Sequence, residues 1–484
     1  MTARGRHVVV VGRDAALWLT AAALGKALAP TGITITAIEL PSHLSTASTY
    51  LAQPAIEALH AKLGLDERAL LRATQGSFSL GYNVIIGEGA ASPFFLAHGS
   101  YGTPIAGGDF FGQWLRARHF GLGAALEDFS PTAMAARHGR VMLPDQETEG
   151  FGRTDYGYHL PGIAYAALLK ELALRSGVAL RQAPRVSVER EVSGRVRAVV
   201  TTDGEAIHGD LYVDASGPEA AVIGKASNGE REDWRRHFPL DRCRSARAPG
   251  FASVPTYAEI RSHSDGWTAL YATRGMTHVV HAYRAADQDE ASSLAAAAAR
   301  AGLRFEEDYV IAVAPGRRVA GWTGNCVAIG GAACAFDPLF DLELHAVQLG
   351  IVHLLSLFPA DRDGAAEQAE YNRVTASLFD RVRDFQAAYY TLTMMTSPPQ
   401  SLAARMALFS ARGAIAPMED DSFTTDHWRA LLLGLGIQPE DWPPAIDTIP
   451  PERLRQGLRD ILGFVNRKVL NQPTHDCCLG DRCE

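Results

Sequence analysis

His7-Val-Val-Val-Val-Gly12-Arg-Asp-Ala-Ala-Leu17 is the stretch on which the fold reading turns. Four consecutive valines form a β-branched run of the kind buried on both faces of a parallel sheet. A glycine ends the run, and the Ala- and Leu-rich segment Ala15–Leu28 that follows predicts a helix. Ile33–Ile38 predicts a second strand, ending at Glu39. Strand, tight turn, helix and strand with a terminal acid is the arrangement that opens a dinucleotide-binding domain. In the usual G-x-G-x-x-G fingerprint the glycines serve the turn, the approach of the diphosphate and the helix packing. Only Gly12 remains here, with Asp14 and Leu17 at the other two places, so this turn alone also reads as an ordinary β–α connection.

Outward from this segment, the chain alternates. Helices are expected over residues 54–63, 67–73 and 163–176, short strands over 179–183, 185–189 and 195–202, and an apolar strand at Gly209–Gly217. Further strands are expected near 257–260, 267–271 and 277–283, then a helix over 290–301 and a return to a buried strand at Asn325–Gly331. Beyond residue 345 the pattern is helical. The fold class is therefore α/β: a Rossmann-like domain of the glutathione-reductase or hydroxylase type, an inserted β-rich substrate domain and a helical C-terminal region. The expected bounds are 1–220 with 321–355 for the cofactor domain, carrying a substrate-side insertion at about 75–155. Residues 221–320 make the substrate sheet, 356–470 the helical region, and 471–484 a flexible Cys-containing tail.

The 484 residues are 47% hydrophobic and 21% charged, with 46 Lys+Arg against 54 Asp+Glu and a formal charge of -8. That composition supports a large core and speaks against a non-specific nucleic-acid binder, which needs the opposite sign. No apolar run reaches the roughly 18 residues of a spanning helix. A cytoplasmic protein with free thiols and no membrane or nucleic-acid partner is expected. The tail His475-Asp-Cys-Cys-Leu-Gly-Asp-Arg-Cys-Glu484 is read as flexible rather than as a zinc site, because adjacent Cys477 and Cys478 point apart, with oxidation or disulfide exchange of its thiols as the alternative.

Three separated pieces together fit a flavin-binding domain: Gly12–Leu17, Glu39 as the holder of ribose hydroxyls, and the pair of segments Gly209–Gly217 and Gly324–Pro338. The cofactor-binding residues assigned are Gly12, Asp14, Ala15, Glu39, Asp214, Gly217, Gly330, Gly331 and Asp337. A bulky residue at Gly330 is expected to block the flavin while sparing the fold.

Leu63–Gly81, Pro93-Phe-Phe95, Tyr158–Ala166, Asn325–Gly330, Asp337-Pro-Leu339, Tyr371-Asn-Arg373 and Arg383-Asp-Phe385 resemble the corresponding segments of flavin-dependent tryptophan halogenases. The resemblance runs from about residue 8 to about residue 390. It implies FAD and O2, with electrons from reduced nicotinamide or a flavin reductase. Halogenases place a catalytic Lys after the Phe of a Phe-Lys pair, and the matching residue here is Ser79. Their Trp-x-Trp-x-Ile-Pro signature is met only by Trp267-Thr-Ala-Leu-Tyr-Ala272, and the halide-side Ser-Thr-Gly is replaced around Phe340-Asp-Leu-Glu343. These departures point away from halogenation. They favour a monooxygenase that hydroxylates an indole ring through a flavin hydroperoxide, similar to the enzymes that act on peptide-bound tryptophan on the way to cysteine tryptophylquinone. A small crosslinked precursor protein would then be the substrate, with a divergent halogenase or a non-catalytic peptide-binding relative as alternatives. Candidate bases are Asp337, Asp341, Glu343 and His345, of which Asp337, Glu343 and His345 are assigned as catalytic. Ser79, Phe94, Phe95, Tyr101 and Phe340 are assigned to the substrate pocket, and no metal ligand is assigned.

Overall fold

The computed structural model of the chain describes residues 6–87, 93–145, 148, 153–226, 230–360, 364–418 and 421–480. The chain divides into two compact units. The first comprises Met1–Gly76, Leu160–Arg235 and Ala312–Arg383, and the second Ser77–His159, Arg236–Ile311 and Asp384–Glu484. Residues 77–159 thus group with 236–311 and the C-terminal helices rather than with the cofactor domain expected to contain them. Sheet pairing explains this: Gly81–Ile85 lies parallel to Ala258–His263, a partner more than 170 residues away in sequence.

The first unit is built on a six-stranded sheet. At its centre is β1 (His7–Gly12), flanked in parallel by β2 (Thr34–Glu39) and by Leu211–Ala215. Ala179–Gln182 extends the sheet beyond β2, and Cys326–Ala328 extends it on the other side, both parallel. Val8–Val11 are no more than 1% exposed, so the valine run is the buried centre of the sheet. The chain leaves β1 to one side and returns on the other, which places the topological switch point at the carboxyl end of β1, where open α/β sheets bind ligands. Gly12, Glu39 and Ala215 sit together at that end, in register across the three strands. A Cβ on Gly12 would come within 2.4 Å of the Ala215 carbonyl oxygen, so this glycine is demanded by strand packing. Helix α1 (Asp14–Leu28) packs against Gly162–Arg175.

The second unit holds a seven-stranded sheet whose antiparallel centre is Arg242–Pro249, Met276–Tyr283, Gly266–Ala272 and Ala258–His263. Gly81–Ile85 and Phe94–Ala97 complete one edge. The helices Gln400–Arg412, Thr425–Gly434 and Pro451–Leu470 belong to this unit. Its last described turn corrects the expectation of a flexible tail from residue 471. His475–Cys478 is helical, the His475 ring is buried and bonded to the Val254 carbonyl at 2.7 Å, and Phe78 N–H donates to its Nε2 at 3.2 Å. Val141 N–H also donates to the Pro473 carbonyl. Cys483 lies outside the described residues. Cys243, Cys326, Cys334 and Cys478 make no disulfide, whereas Cys477 is disulfide-bonded, which departs from the default of free thiols and agrees with the oxidised tail held as its alternative. Among the described residues no helix is long and apolar enough to cross a membrane, and no group of three or more His, Cys, Asp or Glu could hold a metal ion.

Candidate functional site

In the first unit a cavity of about 530 Å³ opens at the switch point, lined among others by Asp14, Trp18, Glu39, Ser42, Lys170 and Gln182. That volume lies within the range of small-molecule sites. Glu39 is fixed in it. Lys170 Nζ donates to Oε1 at 2.9 Å and to Oε2 at 2.7 Å, and Gln182 Nε2 donates to Oε2 at 2.7 Å. Partial burial alone would raise the Glu39 pKa, but the hydrogen bonds from Gln182 and Lys170 outweigh it and hold the carboxyl below its usual range. Lys170 in turn lies over the Trp18 ring, 5.1 Å from its centroid. Lys170, Gln182 and Trp18 escaped the sequence reading because they become neighbours of Glu39 only through strand and helix packing.

Asp14 adopts φ +55, the left-handed conformation that a glycine would take at this place in the fingerprint. Its carboxylate accepts from Ser42 Oγ at 2.6 Å and from His43 N–H at 3.1 Å, which folds it back onto the loop after β2. The Ala15 N–H bonds to the hydroxyl of Tyr50, whose pKa is raised well above normal by burial and by Glu343 and Asp14. Leu17 is fully buried in the packing of α1.

Other assigned cofactor residues work within the protein. Asp214 accepts from Ser216 N–H and Oγ through one oxygen, and from the Val222 and Ile223 N–H groups through the other. Its carboxylate is saturated by its own turn, so it organises that turn instead of reaching a ligand. Gly217 has φ +91 and Gly330 has φ +61. A Cβ on Gly330 would come within 2.7 Å of Val347 Cγ2, and one on Gly331 within 3.1 Å of Pro218 Cδ. The expectation that a bulky Gly330 variant keeps its fold is therefore corrected, because the clash is with the protein.

Asp337 is buried, and its Oδ1 accepts from Leu339 N–H at 2.9 Å, closing the turn that follows. Phe340 and Asp341 are consecutive non-glycine residues at φ +67 and +45, a strained bend that leads into α2 (Glu343–Ser356). Asp341 Oδ2 accepts from Leu51 N–H at 2.8 Å, and burial, together with neighbouring Glu343, pushes its pKa up to about 8. Glu343, the first residue of α2, keeps exposed surface; desolvation by the surrounding protein and the Asp14 charge raise its pKa. Burial lowers the His345 pKa to about 4, against a hydrogen bond with Gln348 one turn on. Of the three residues assigned as catalytic, Glu343 lies within electrostatic reach of Asp14 at the start of α1, of Tyr50 and of Asp341. Tyr50 was missed, since nothing local marks a tyrosine in a short strand.

Phe340 belongs to the first unit, and the other four assigned pocket residues belong to the second. There Ser77–Ser79 pairs antiparallel with the strand Gly157–Pro161, Ser77 opposite His159 and Ser79 opposite Gly157. Ser77 Oγ donates to the Ala272 carbonyl at 2.6 Å, whereas Ser79 is fully buried and its Oγ has no hydrogen-bond partner among the described residues. The aromatic assignments are corrected by their packing. A Cβ on Gly434 would lie 2.3 Å from the Phe94 ring, so that ring sits flat against backbone. Tyr101 Oη donates to the Phe95 carbonyl at 2.8 Å and accepts from Ala97 N–H at 2.7 Å, and the Phe95 ring packs edge-on to Tyr257. All three hold the sheet edge together. Trp267 is likewise core, its indole N–H donating to Tyr390 Oη at 2.7 Å.

The sequence profile of the family described as Tryptophan halogenase matches residues 7–451. Among solved structures, BrvH, a flavin-dependent halogenase from Brevundimonas sp. BAL3, is 30% identical; the match covers 98% of this chain and 99% of that one, with a TM-score of 0.91. Xcc4156, a flavin-dependent halogenase from Xanthomonas campestris, is 28% identical over 99% and 98% of the two chains, with a TM-score of 0.92. Among curated proteins, Tryptophan 7-halogenase RebH from Lentzea aerocolonigenes is 23% identical over 520 residues, 97% of each chain.

Proposed function

Since the chain belongs to the tryptophan halogenase family, we propose that it is an FAD-dependent enzyme that oxidatively functionalises an electron-rich aromatic ring, with halogenation the reaction its relatives support. The observation that carries this reading is the cavity at the switch point, with Glu39 held in its lining. The adenosine half of FAD fits there. Glu39 keeps a lone pair for the ribose, and Lys170 and Gln182 hold its carboxylate still, so little side-chain entropy is lost on binding. Asp14 and Ala16 at the start of α1 remain partly accessible, which leaves the helix N-terminus open to a diphosphate. Bound reduced flavin would supply two electrons to dioxygen and so generate the oxidant. The protein's part is to hold the dinucleotide, with Glu39 fixed by Lys170 and Gln182. Electrons would come from a flavin reductase or reduced nicotinamide.

A second reading, oxygen transfer to the ring, is favoured by one residue. Ser79 stands where halogenases carry their lysine, and a neutral hydroxyl has no cationic nitrogen with which to hold an electrophilic halogen. No residue described above favours a peptide-bound tryptophan over the free amino acid or indole as the acceptor. Product mass decides between the readings. The chain is supplied with reduced FAD, O2 and chloride or bromide, with tryptophan and indole as acceptors. A halogen isotope pattern supports halogenation; an 18O label from 18O2 supports hydroxylation; unchanged acceptors in every arm would remove both.

A further inference from the structure

Two side chains from different elements converge on the Glu39 carboxylate in the switch-point cavity, and both line that cavity with it. Glu39 ends β2. The strand Ala179–Gln182 runs parallel beside it with Gln182 in register opposite Glu39, which brings the Gln182 amide to Oε2 at 2.7 Å. Lys170 comes from the helix Gly162–Arg175 that packs on α1, and its ammonium bridges the two oxygens, 2.9 Å from Oε1 and 2.7 Å from Oε2. The Trp18 ring backs that ammonium at 5.1 Å, and its indole N–H adds a smaller contact that helps to keep the Glu39 pKa low. The side chains of Lys170 and Glu39 are only 30% and 20% exposed. Parting them therefore costs more than parting a pair on the open surface.

An ionised carboxylate offers about four lone-pair positions, shared equally between its oxygens. Lys170 takes one on each oxygen and Gln182 takes the second on Oε2, so no more than one stays open, on Oε1. A ribose presents two neighbouring hydroxyls, and a carboxylate with no other partners accepts from both. We infer that Glu39 accepts from a single ribose hydroxyl of the bound cofactor, and that Lys170 and Gln182 are the residues that set this limit. The site then distinguishes the 2′ from the 3′ position. This rests on the flavin reading above and specifies how that same cavity recognises the adenosine ribose. To take a second hydroxyl, Glu39 would have to release one of its present donors. Releasing Lys170 strands an ammonium and weakens the hold on a carboxylate in a partly desolvated place, which costs more than one further hydroxyl contact gains. Gln182 is kept in place by the register of its strand.

The test loads the full chain with oxidised FAD and displaces it with ADP, 2′-deoxy-ADP or 3′-deoxy-ADP, followed by flavin fluorescence. In the parent, one deoxy analogue should compete as well as ADP. The other should compete about ten- to hundredfold less well, the size of one hydrogen bond to a charged group. Lys170→Met keeps an apolar stem over Trp18 but frees a position on each oxygen, and Gln182→Ala frees one on Oε2. In each of these variants both deoxy analogues should fall behind ADP. Lys170→Arg, whose guanidinium again takes one position on each oxygen, should restore the parental pattern. A role confined to stability would shift all three ligands together and leave their ratios unchanged. Both analogues weakened equally in the parent, neither weakened, or a parental pattern that survives Lys170→Met and Gln182→Ala overturns the inference and leaves the flavin reading standing. A chain that binds no FAD, or FAD that ADP does not displace, overturns the placement of the adenosine half and the inference together.

Discussion

Ser77 and Ser79 are two residues apart on one short strand, yet they differ in what they contribute. Ser77 Oγ makes a 2.6 Å bond to the Ala272 carbonyl, whereas Ser79 Oγ is buried without a partner. A buried hydroxyl left unpaired costs free energy that its removal returns, while deleting a bonded one forfeits about 1 kcal/mol. Ser77→Ala should therefore lower stability by about 1 kcal/mol in a urea melt, and Ser79→Ala should leave it unchanged or raise it. At the cofactor end, Glu39→Ala removes the fixed acceptor for ribose hydroxyls and strands Lys170. FAD affinity should fall about ten- to hundredfold by fluorescence titration, in line with the 1.5–3 kcal/mol of hydrogen bonds to a charged group. Glu39 was legible from its place at the end of a predicted strand. Its partners were not, because Lys170 and Gln182 lie more than 130 residues further along the chain.

At the scale of elements, α2 is packed onto the glycine turn before it and onto α1. Gly330→Val would drive its branches toward Val347 and force α2 outward. Overpacking of this kind costs on the order of 1–3 kcal/mol, and the positive φ adds strain, so the variant should show a lower urea midpoint even without cofactor. The strained bend ahead of α2 has its own signature. The Asp341 pKa is raised from 3.8 in the unfolded chain to about 8 in the fold, so the native state binds the extra proton. Stability contributed at this position is present at low pH and lost as pH rises from 4 toward 8. Asp341→Asn should accordingly melt higher than the parent at pH 8, with the difference vanishing near pH 4, as calorimetry can read.

For the molecule as a whole, the second unit carries an unusual load of buried neutral imidazoles. Burial first, and then neighbouring charges, push the pKa of His98, His263 and His278 down to about 3 and of His159, His281 and His427 to about 4; that of His475 is lowered as well. Each binds a proton more readily unfolded than folded. Their contribution is complete above pH 6.5 and is lost as pH falls through the window from 6.5 toward 4, by roughly 1.4 kcal/mol per pH unit for each histidine. A domain holds only about 5–15 kcal/mol in total, so a few of these rings suffice to open it. Near-ultraviolet circular dichroism of the full chain should show tertiary structure lost between pH 6 and 4; a signal from the tryptophans Trp267 and Trp428 of this unit unchanged down to pH 4 would contradict the assignment.

What the amino-acid sequence determined by itself is the local grammar of the chain. The valine run, the glycine at its end, Glu39 six residues into the next strand and the helix after each break were readable, because β-branching, helical propensity and turn chemistry act between near neighbours. The helix expected at 290–301 is found at Glu290–Ala301, and the strand expected at 277–283 at Met276–Tyr283. Tertiary structure alone decided the rest. It placed Gly81–Ile85 beside Ala258–His263, turned Asp214 inward onto its own turn, used Phe94, Phe95 and Tyr101 for packing, and seated the tail through His475. It also brought Asp14, Tyr50, Asp341 and Glu343 within electrostatic reach of one another. The physical reason is common to all of these. Burial and charge depend on which groups end up within a few ångströms of one another, and that proximity comes from strand pairing and helix packing between segments far apart in sequence.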